Sequence, residues 1–514
     1  MAKISIIGTG YVGLISGACF SEIGHHVTCV DLDDTKVNNI NNKTPPIHEV
    51  GLQELLDKNV GINLFATNDL HEAVLNSDYT FIAVGTPYKE DYIDLTFIKE
   101  SVKQIGLALK DKSSYHTVIV KSTVIPKTTS DVVKPIIEKY SKKNVGTDIG
   151  LVMNPEFLRE GVAIDDFMHP DRVVIGGSDK KASELVKALY DCYFDTDYIL
   201  TDTTTAEMIK YSANSLLATL ISFSNEIGNL CAAVGIDSQE VERGVHLDAR
   251  FSPFINDKRV FPSSIIYLEA GCGFGGSCFP KDVRALHAFG EKQNVSMQML
   301  NSVIKINNAQ PQKIISILKN KVPNYKNKKD ILILGAAFKA NTDDIRESAT
   351  IPVIEALIEM KFNISLYDPI AGKNMQKLFK DKENEGVEIS EEDRELNIIV
   401  DLNEDIKKGS YYDNAGGFHI DDIQNAFIQG LSNIDPSINS IGGFAMGGTK
   451  AIYYFSDDTS ITTAISGGEQ YGADIDENWM EDKVNYTVDK YESPYQVPIT
   501  DEESRLLNGH LTVG

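Results

Sequence analysis

Cys278 lies in the run Gly271-Cys272-Gly273-Phe274-Gly275-Gly276-Ser277-Cys278-Phe279-Pro280-Lys281-Asp282. A thiol attacks as its thiolate, and glycines let the backbone approach a ligand closely. Lys281 and Asp282, within four positions, are placed to tune or use the sulfur. The run leaves no room for a helix or strand of ordinary length, so Cys278 is expected in a loop. Cys19, Cys29, Cys192 and Cys231 fall inside apolar runs and read as buried structural thiols, while Cys272 fits either reading. The six cysteines include no CxxC pair, which argues against a disulfide framework or a zinc site, and no metal is expected.

A module that would give this thiol a partner reaction stands at the start of the chain. The strand-like Lys3-Ile4-Ser5-Ile6-Ile7 runs into Gly8-Thr9-Gly10-Tyr11-Val12-Gly13 and then into a helical stretch from Leu14. Strand, GxGxxG and helix in that order form a dinucleotide fingerprint. The first glycine makes the turn, the second admits the pyrophosphate, and the third lets helix pack on strand. A second strand, His26–Val30, ends at Asp31, where an acid accepts hydrogen bonds from the adenosine ribose. Asp33 and Asp34 follow and disfavour a 2′-phosphate, so NAD is expected rather than NADP. A thiolate beside a nicotinamide holds an aldehyde as a covalent adduct while hydride leaves, and the product is then an acid.

Three more strand-like runs, 79–84, 117–120 and 149–153, end in Gly85-Thr86-Pro87, Lys121-Ser122-Thr123 and Asn154-Pro155-Glu156. Strands alternating with helical stretches imply a parallel α/β sheet with ligands at the strand C-termini. Glu156 and Glu160, four residues apart beyond Pro155, are expected to share one face of a helical turn. Residues 205–234 read as one long helix with Lys210 and Asn214 on one face. A lone helical Lys is usually solvated, but this one is embedded among apolar and small residues.

These residues together resemble the UDP-glucose/GDP-mannose dehydrogenase family over residues 1 to about 370, through GTGYVG, VGTP, KSTV, NPEFLREG, the Lys210/Asn214 helix, GFGGSCFPKD, and Ala337-Phe338-Lys339 with Thr342–Ser348. The resemblance implies two Rossmann-like domains joined by a long helix, in a homodimer or higher homo-oligomer. It implies oxidation of a sugar-nucleotide C6 alcohol to a carboxylate with two NAD and one water. UDP-glucose is the expected substrate, with GDP-mannose and UDP-N-acetylhexosamine as alternatives; other classes are a two-electron hydroxyacid dehydrogenase and a non-catalytic sugar-nucleotide binder.

Carried over residue by residue, the resemblance makes Cys278 the nucleophile and Lys210 the oxyanion stabiliser, with Asn214 beside it. Asp282 and Thr123 become the pair that positions water, and Glu156 the acid/base of thioester hydrolysis. Lys36, Thr86, Thr123, Glu160, Lys281 and Arg346 join Gly8, Gly10, Tyr11, Val12, Gly13 and Asp31 at the cofactor. Phe157, Leu158, Glu160, Tyr267, Gly273 and Lys339 join Glu156, Lys210 and Asn214 at the substrate. An Arg from a neighbouring subunit is expected there too, and both Arg250 and Arg259 are candidates.

The expected organisation is an NAD-binding domain over 1–200, a central helical domain with the cysteine loop over 201–320, and a partial UDP-sugar-binding Rossmann-like domain over 321–400. An unassigned acidic segment, β-rich or disordered, follows over 401–514. In the partial domain, strands at 329–334 and 363–367 flank a helix at 351–360. The family's Thr-Glu-Trp strand end is missing near Ile398–Glu404, and the sole Trp is Trp479. Further on, 451–455 and 460–465 read as strands, and 409–417 and 467–478 as loops. The 514 residues are 42% hydrophobic with a formal net charge of −25, which argues against nucleic acid as a partner. No apolar run reads as long enough to span a membrane, and a reducing, cytoplasmic setting is expected.

Overall fold

The computed structural model describes residues 1–89, 92–191, 195–321 and 330–380, together with the strands Val387–Ser390, Gly443–Met446, Lys450–Tyr453, Thr459–Ile465, Glu469–Ile475 and Asp489–Lys490. Two compact units are present. One comprises Met1–Leu216 and Lys281–Met297, the other Leu217–Pro280 and Gln298–Gly514.

The first unit is built on eight strands: β1 (Lys3–Ile7), β2 (His26–Val30), β3 (Leu64–Thr67), β4 (Tyr79–Ile82), β5 (His116–Val120), β6 (Ile149–Met153), β7 (Arg172–Gly177) and β8 (Asp197–Thr201). Their order is β8-β7-β6-β5-β4-β1-β2-β3. The central strands β5 and β6 are buried at every residue, which is why they read as unbroken apolar runs rather than as alternating ones. Two apolar layers cover the sheet. One gathers Leu14, Ile15 and Phe20 of the helix Tyr11–Glu22 with Phe81 and Tyr190; the other gathers Ile98, Val102 and Ile105 with Val118 and Val120.

The sheet departs from the all-parallel expectation at one place. β7 pairs with β6 antiparallel, through Val152↔Gly177 and Met153↔Gly176, and β8 then runs parallel to β7. The connection from β6 to β7 holds only the short helix Ala163–Met168. A parallel return needs a full crossover, whereas this connection stays at the strand ends and keeps residues 154–161 there.

In the second unit, β9 (Asp330–Leu334), β10 (Asn363–Tyr367) and β11 (Val387–Ser390) are parallel. The hairpin β12 (Gly443–Met446) and β13 (Lys450–Tyr453) joins the same sheet, with Leu334 opposite Ala451, antiparallel. Ile333, Val353, Ile354, Leu357, Leu366 and Met375 form its core. The helix Thr350–Glu359 and strand β10 lie where the apolar pattern placed them.

Thr459–Ile465 is a strand as expected, but Glu469–Ile475, expected within a loop, is its antiparallel partner from Thr459↔Ile475 to Ile465↔Glu469. Backbone pairing along a hairpin overrides the weak apolar content of Gln470-Tyr471-Gly472-Ala473. Residues 409–417, Ile398–Glu404, Trp479 and Cys192 lie outside the described residues.

The helix Thr203–Val234 corrects one expectation: by length and composition it is apolar enough to cross a membrane. Between Tyr211 and Val234 it carries a single charge, Glu226. Its polar residues Glu207, Lys210, Asn214 and Asn225 are all buried, while Leu216, Phe223, Leu230 and Val234 are exposed.

Candidate active site

In the first unit the ends of β1, β2, β4 and β5 carry the expected cofactor residues. Gly8 turns the chain with φ +98°. Beside Gly10 the space is open, with no atom within 4 Å of where a Cβ would stand, and a pyrophosphate needs that room. Asp31 accepts from Thr9 N at 2.8 Å and Thr9 Oγ1 at 2.6 Å, and Lys36 stands 3.9 Å away. Burial alone would raise the Asp31 carboxyl, but Thr9, the Asp33 N–H and Lys36 hold it below the usual range. Thr86 Oγ1 donates to Thr123 O at 2.8 Å, so these two candidates meet across neighbouring strand ends. An open glycine turn with an ionised acid at the next strand end fits NAD.

The segment after β6 is not the helical turn expected. Residues 154–159 are irregular, and Glu156 and Glu160 do not share a helix face. Glu156 bonds its own chain instead, its Oε2 accepting from Leu158 N at 2.7 Å, a local competitor of helix. Glu156 is buried, with Oε1 3.0 Å from Lys210 Nζ. Burial pushes this carboxyl up, but Lys210, the Leu158 N–H and Lys121 outweigh it and hold it below the usual range. The ring of Phe157 lies 3.9 Å from the Arg172 guanidinium and 5.2 Å from Lys210 Nζ. Tyr11 and Val12 open the cofactor helix, and the Tyr11 hydroxyl bonds Glu49 and accepts from Gly161 N at 3.1 Å. Glu49 takes Gly161 N and Ala163 N at 2.7 Å each. Tyr11 thus ties the cofactor helix to the end of the segment bearing Glu156, Leu158 and Glu160.

On the long helix, Asn214 Nδ2 donates to Asp282 Oδ2 at 2.7 Å, and Lys281 pairs with the same carboxylate. Asp282 is fully buried, in the first turn of the helix Phe279–Lys292.

In the second unit Cys278 directly precedes that helix and is partly exposed, with Ser277 Oγ 3.5 Å from its sulfur. Cys272 proves buried. The loop before Cys278 is pinned by three amides the motifs did not flag. Asn225 Oδ1 accepts from Gly271 N at 2.6 Å and Gln310 Nε2 donates to Gly271 O at 2.7 Å. Asn307 exchanges bonds of 2.7 and 3.0 Å with both backbone groups of Phe274, next to Gly273. The only sequence signal for them was a polar residue on an apolar helix face. Gly276 packs on the Phe338 ring, where a Cβ would come within 2.7 Å, and its N–H donates to Arg346 O at 2.8 Å. The Cys278 loop is thereby seated on the segment that carries Lys339 and Arg346. Arg346 is exposed and pairs with Asp344 at 2.6 Å. Tyr267 lies in a short 3-10 helix, Ser263–Leu268, its ring 6.3 Å from that of Phe279. The two Arg candidates differ: Arg259 Nη1 donates to Leu247 O, Ser252 O and Ser252 Oγ, whereas the Arg250 side chain is 83% exposed and pairs with Asp248.

Glu207, also missed, is a fully buried carboxylate one turn before Lys210. It accepts from Lys127 N, Thr129 N and Thr129 Oγ1 at 2.6–2.7 Å and anchors the chain just beyond Thr123. Burial pushes its carboxyl up to about 7, against those donors. Between the unfolded value near 4.5 and 7 the folded state holds more protons, so this group's contribution to stability is full below 4.5 and is lost as pH rises. The unfolding free energy of the wild type minus that of Glu207→Gln is expected to fall by about 3 kcal/mol from pH 4.5 to 7 in denaturant titrations. A flat difference contradicts the assignment.

Comparison with known proteins gives the geometry its setting. Family models described as UDP-glucose/GDP-mannose dehydrogenase family match in three parts: the NAD binding domain over residues 2–194, the central domain over 204–309 and the UDP binding domain over 332–411. The last match runs past residue 370, where the recognisable motifs stop. The chain is 40% identical to the UDP-glucose 6-dehydrogenase AglM of Haloferax volcanii over 384 residues, covering 74% of this chain and 86% of that one. It is 41% identical to the GDP-mannose 6-dehydrogenase of Pseudomonas savastanoi pv. phaseolicola over 368 residues, 71% of this chain and 80% of that one. Among solved structures, a UDP-glucose dehydrogenase from Pyrobaculum islandicum superposes with a TM-score of 0.68 at 34% identity, covering 74% of this chain and 85% of that one.

Proposed function

Because the chain belongs to the UDP-glucose/GDP-mannose dehydrogenase family, with an NAD-binding first domain and a UDP-binding last one, we propose that it oxidises the C6 alcohol of UDP-glucose to the carboxylate of UDP-glucuronate. The change removes four electrons and consumes one water. NAD bound to the first domain would supply the hydride acceptor for both oxidations. The C6 aldehyde left by the first oxidation adds to the Cys278 thiolate as a thiohemiacetal, which restores a C–H bond at C6. Loss of the second hydride leaves a thioester on Cys278, and water then releases the acid and the thiol.

The chain's own groups divide this work. Lys210 stabilises the oxyanions at C6, a role typically worth about 3 kcal/mol. Asn214, Asp282 and Thr123 place the water, and Glu156 takes its proton. Gly8, Gly10, Gly13, Asp31, Lys36 and Thr86 hold the cofactor, with Glu160, Lys281 and Arg346 beside it. Phe157, Leu158, Tyr267, Gly273 and Lys339 hold the sugar nucleotide. The observation that carries the reading is Cys278 itself: a partly exposed thiol at the end of a loop pinned by Asn225, Asn307 and Gln310. A two-electron dehydrogenase has no use for it.

A panel of UDP-glucose, GDP-mannose and UDP-N-acetylhexosamines tests the proposal. About two NADH per acid formed supports the thioester route; one NADH per product sinks it, and tight binding without NADH marks a non-catalytic binder. GDP-mannose is the second reading, supported by an identity to a GDP-mannose 6-dehydrogenase equal to that for the UDP-glucose enzyme.

The protein works as a homo-oligomer in this proposal. Phe223, Leu230 and Val234 on the long helix and Phe254, Ile255 and Phe261 beyond it are exposed, and a second copy would cover such an apolar face. Exposed Arg250, rather than the internally bonded Arg259, is then the residue that reaches a neighbour's substrate. Buried thiols such as Cys19 and Cys29 suit a reducing, cytoplasmic setting.

A further inference from the structure

Three charges are buried together where β5 and β6 end beside the long helix. Glu156, Lys210 and Lys121 are 5%, 4% and 4% exposed. Lys210 Nζ lies 3.0 Å from Glu156 Oε1. Lys121 donates to Asn154 Oδ1 at 3.1 Å. That oxygen also accepts from Tyr190 OH at 2.7 Å, while Asn154 Nδ2 donates to Val174 O at 2.8 Å. Asn154 is therefore locked between strands and a helix, and it holds Lys121 still. Lys121 and Glu156 line the same cavity while the Lys121 ammonium bonds Asn154, so Lys121 stands near Glu156 as a second charge and not as its bonded partner.

Two cations and one anion leave a surplus positive charge among buried side chains, an arrangement that becomes favourable when an anion arrives. The argument from here rests on the reading that Lys210 serves the oxyanion at C6. Lys210 has one ammonium, and turning it to the oxyanion weakens its hold on Glu156. We propose that Lys121 is a positioning residue: a fixed second cation that keeps Glu156 ionised and in place while Lys210 serves the oxyanion, so that a base stands ready when the thioester forms. Lys121 touches neither substrate nor cofactor in this role.

The surrounding charges agree. Burial pushes the Lys121 ammonium down to about 8, with Glu156 opposing and Lys210 adding to the shift. The other titratable groups facing it are Tyr190 through Asn154, and Asp166, His169, Asp171 and Arg172 around the cavity that Lys121 lines. The sign follows. Without Lys121 the Glu156 carboxyl rises, so the acid limb of the rate moves to higher pH. In the wild type, Lys121 loses its proton near pH 8 and the rate falls on the alkaline side.

The test is the pH profile of thioester hydrolysis in Lys121→Met and Lys121→Arg, with KM for UDP-glucose. Infrared difference spectra of the ligand-free protein, with Glu156→Gln as reference, read the Glu156 carboxyl directly. Lys121→Met is expected to raise the acid limb and the infrared midpoint by about one pH unit, a roughly tenfold slower hydrolysis below the limb. KM stays within about twofold, since no substrate contact is lost. Lys121→Arg keeps the acid limb and abolishes the alkaline fall, because its guanidinium does not deprotonate. A slower Lys121→Met enzyme with unmoved limb and midpoint overturns the proposal, because a merely structural role moves neither. Persistence of the alkaline fall in Lys121→Arg overturns it as well, and that variant decides alone if Lys121→Met does not fold. If the wild type makes one NADH per product, the thioester reading fails, while the infrared midpoint still answers whether Lys121 governs Glu156.

Discussion

Cys278→Ala is expected to stop acid formation, by a factor of roughly a thousand or more, while NAD still binds with nearly unchanged affinity. The substitution removes a partly exposed sulfur at the start of a helix and leaves the loop's anchors to Asn225, Asn307 and Gln310 intact. The glycine turn and Asp31, proposed to receive NAD, belong to other elements and are untouched. What disappears is the covalent handle: an aldehyde without a thiolate adduct has no tetrahedral C–H from which the second hydride can leave. The measurements are NADH yield against acid formed, and NAD titration by fluorescence. Acid formed at near-normal rate by Cys278→Ala would remove the thioester from the mechanism.

The second large effect comes from a pair of glycines that one substitution treats oppositely. At Gly13 a methyl group would fall far inside contact distance of the Gly8 carbonyl oxygen and 3.2 Å from Ala83 Cβ. Backbone cannot step aside as a side chain can, so Gly13→Ala is expected to destabilise the first unit by about 4 kcal/mol or more and to lose NAD binding with it. At Gly10 nothing lies within 4 Å and the backbone is ordinary for any residue. Gly10→Ala is expected to melt like the wild type yet bind NAD weakly, because the methyl group occupies the room left for the pyrophosphate. Thermal melts beside NAD titrations of both variants separate the two effects. Equal behaviour of the two variants in both assays contradicts this account of the turn.

Much of the fold could be read where local pattern and tertiary role coincide. The glycine turn, the buried runs of β5 and β6, and the long helix with Lys210 and Asn214 all announce themselves in a few consecutive residues. The misses share a different cause. Glu156 and Glu160 have helical spacing, but the Leu158 N–H bonds the Glu156 carboxylate and the backbone there is irregular. β7 runs backwards because of the connection before it, which its own sequence does not encode. Lys121 and Glu207 look like ordinary charged residues beside a strand or on a helix, and burial brought by distant elements gives them their character. Asn225, Asn307 and Gln310 hold the Cys278 loop from helices 33 to 46 residues away along the chain, a separation no local motif spans.

The buried group of Lys121, Glu156 and Lys210 has a consequence for how mutational data on this protein are to be interpreted. Deleting Glu156 leaves two buried like charges without the carboxylate that offsets them, and they relieve the repulsion by shedding a proton or by moving. Activity lost in Glu156→Gln therefore combines a missing base with an altered Lys210. Deleting Lys210 takes from Glu156 its ion-pair partner at 3.0 Å and leaves Lys121 as the weaker cation beside a buried carboxylate. Single substitutions here report on the triad as one unit, and credit for any one residue has to come from double-mutant cycles that restore the charge count.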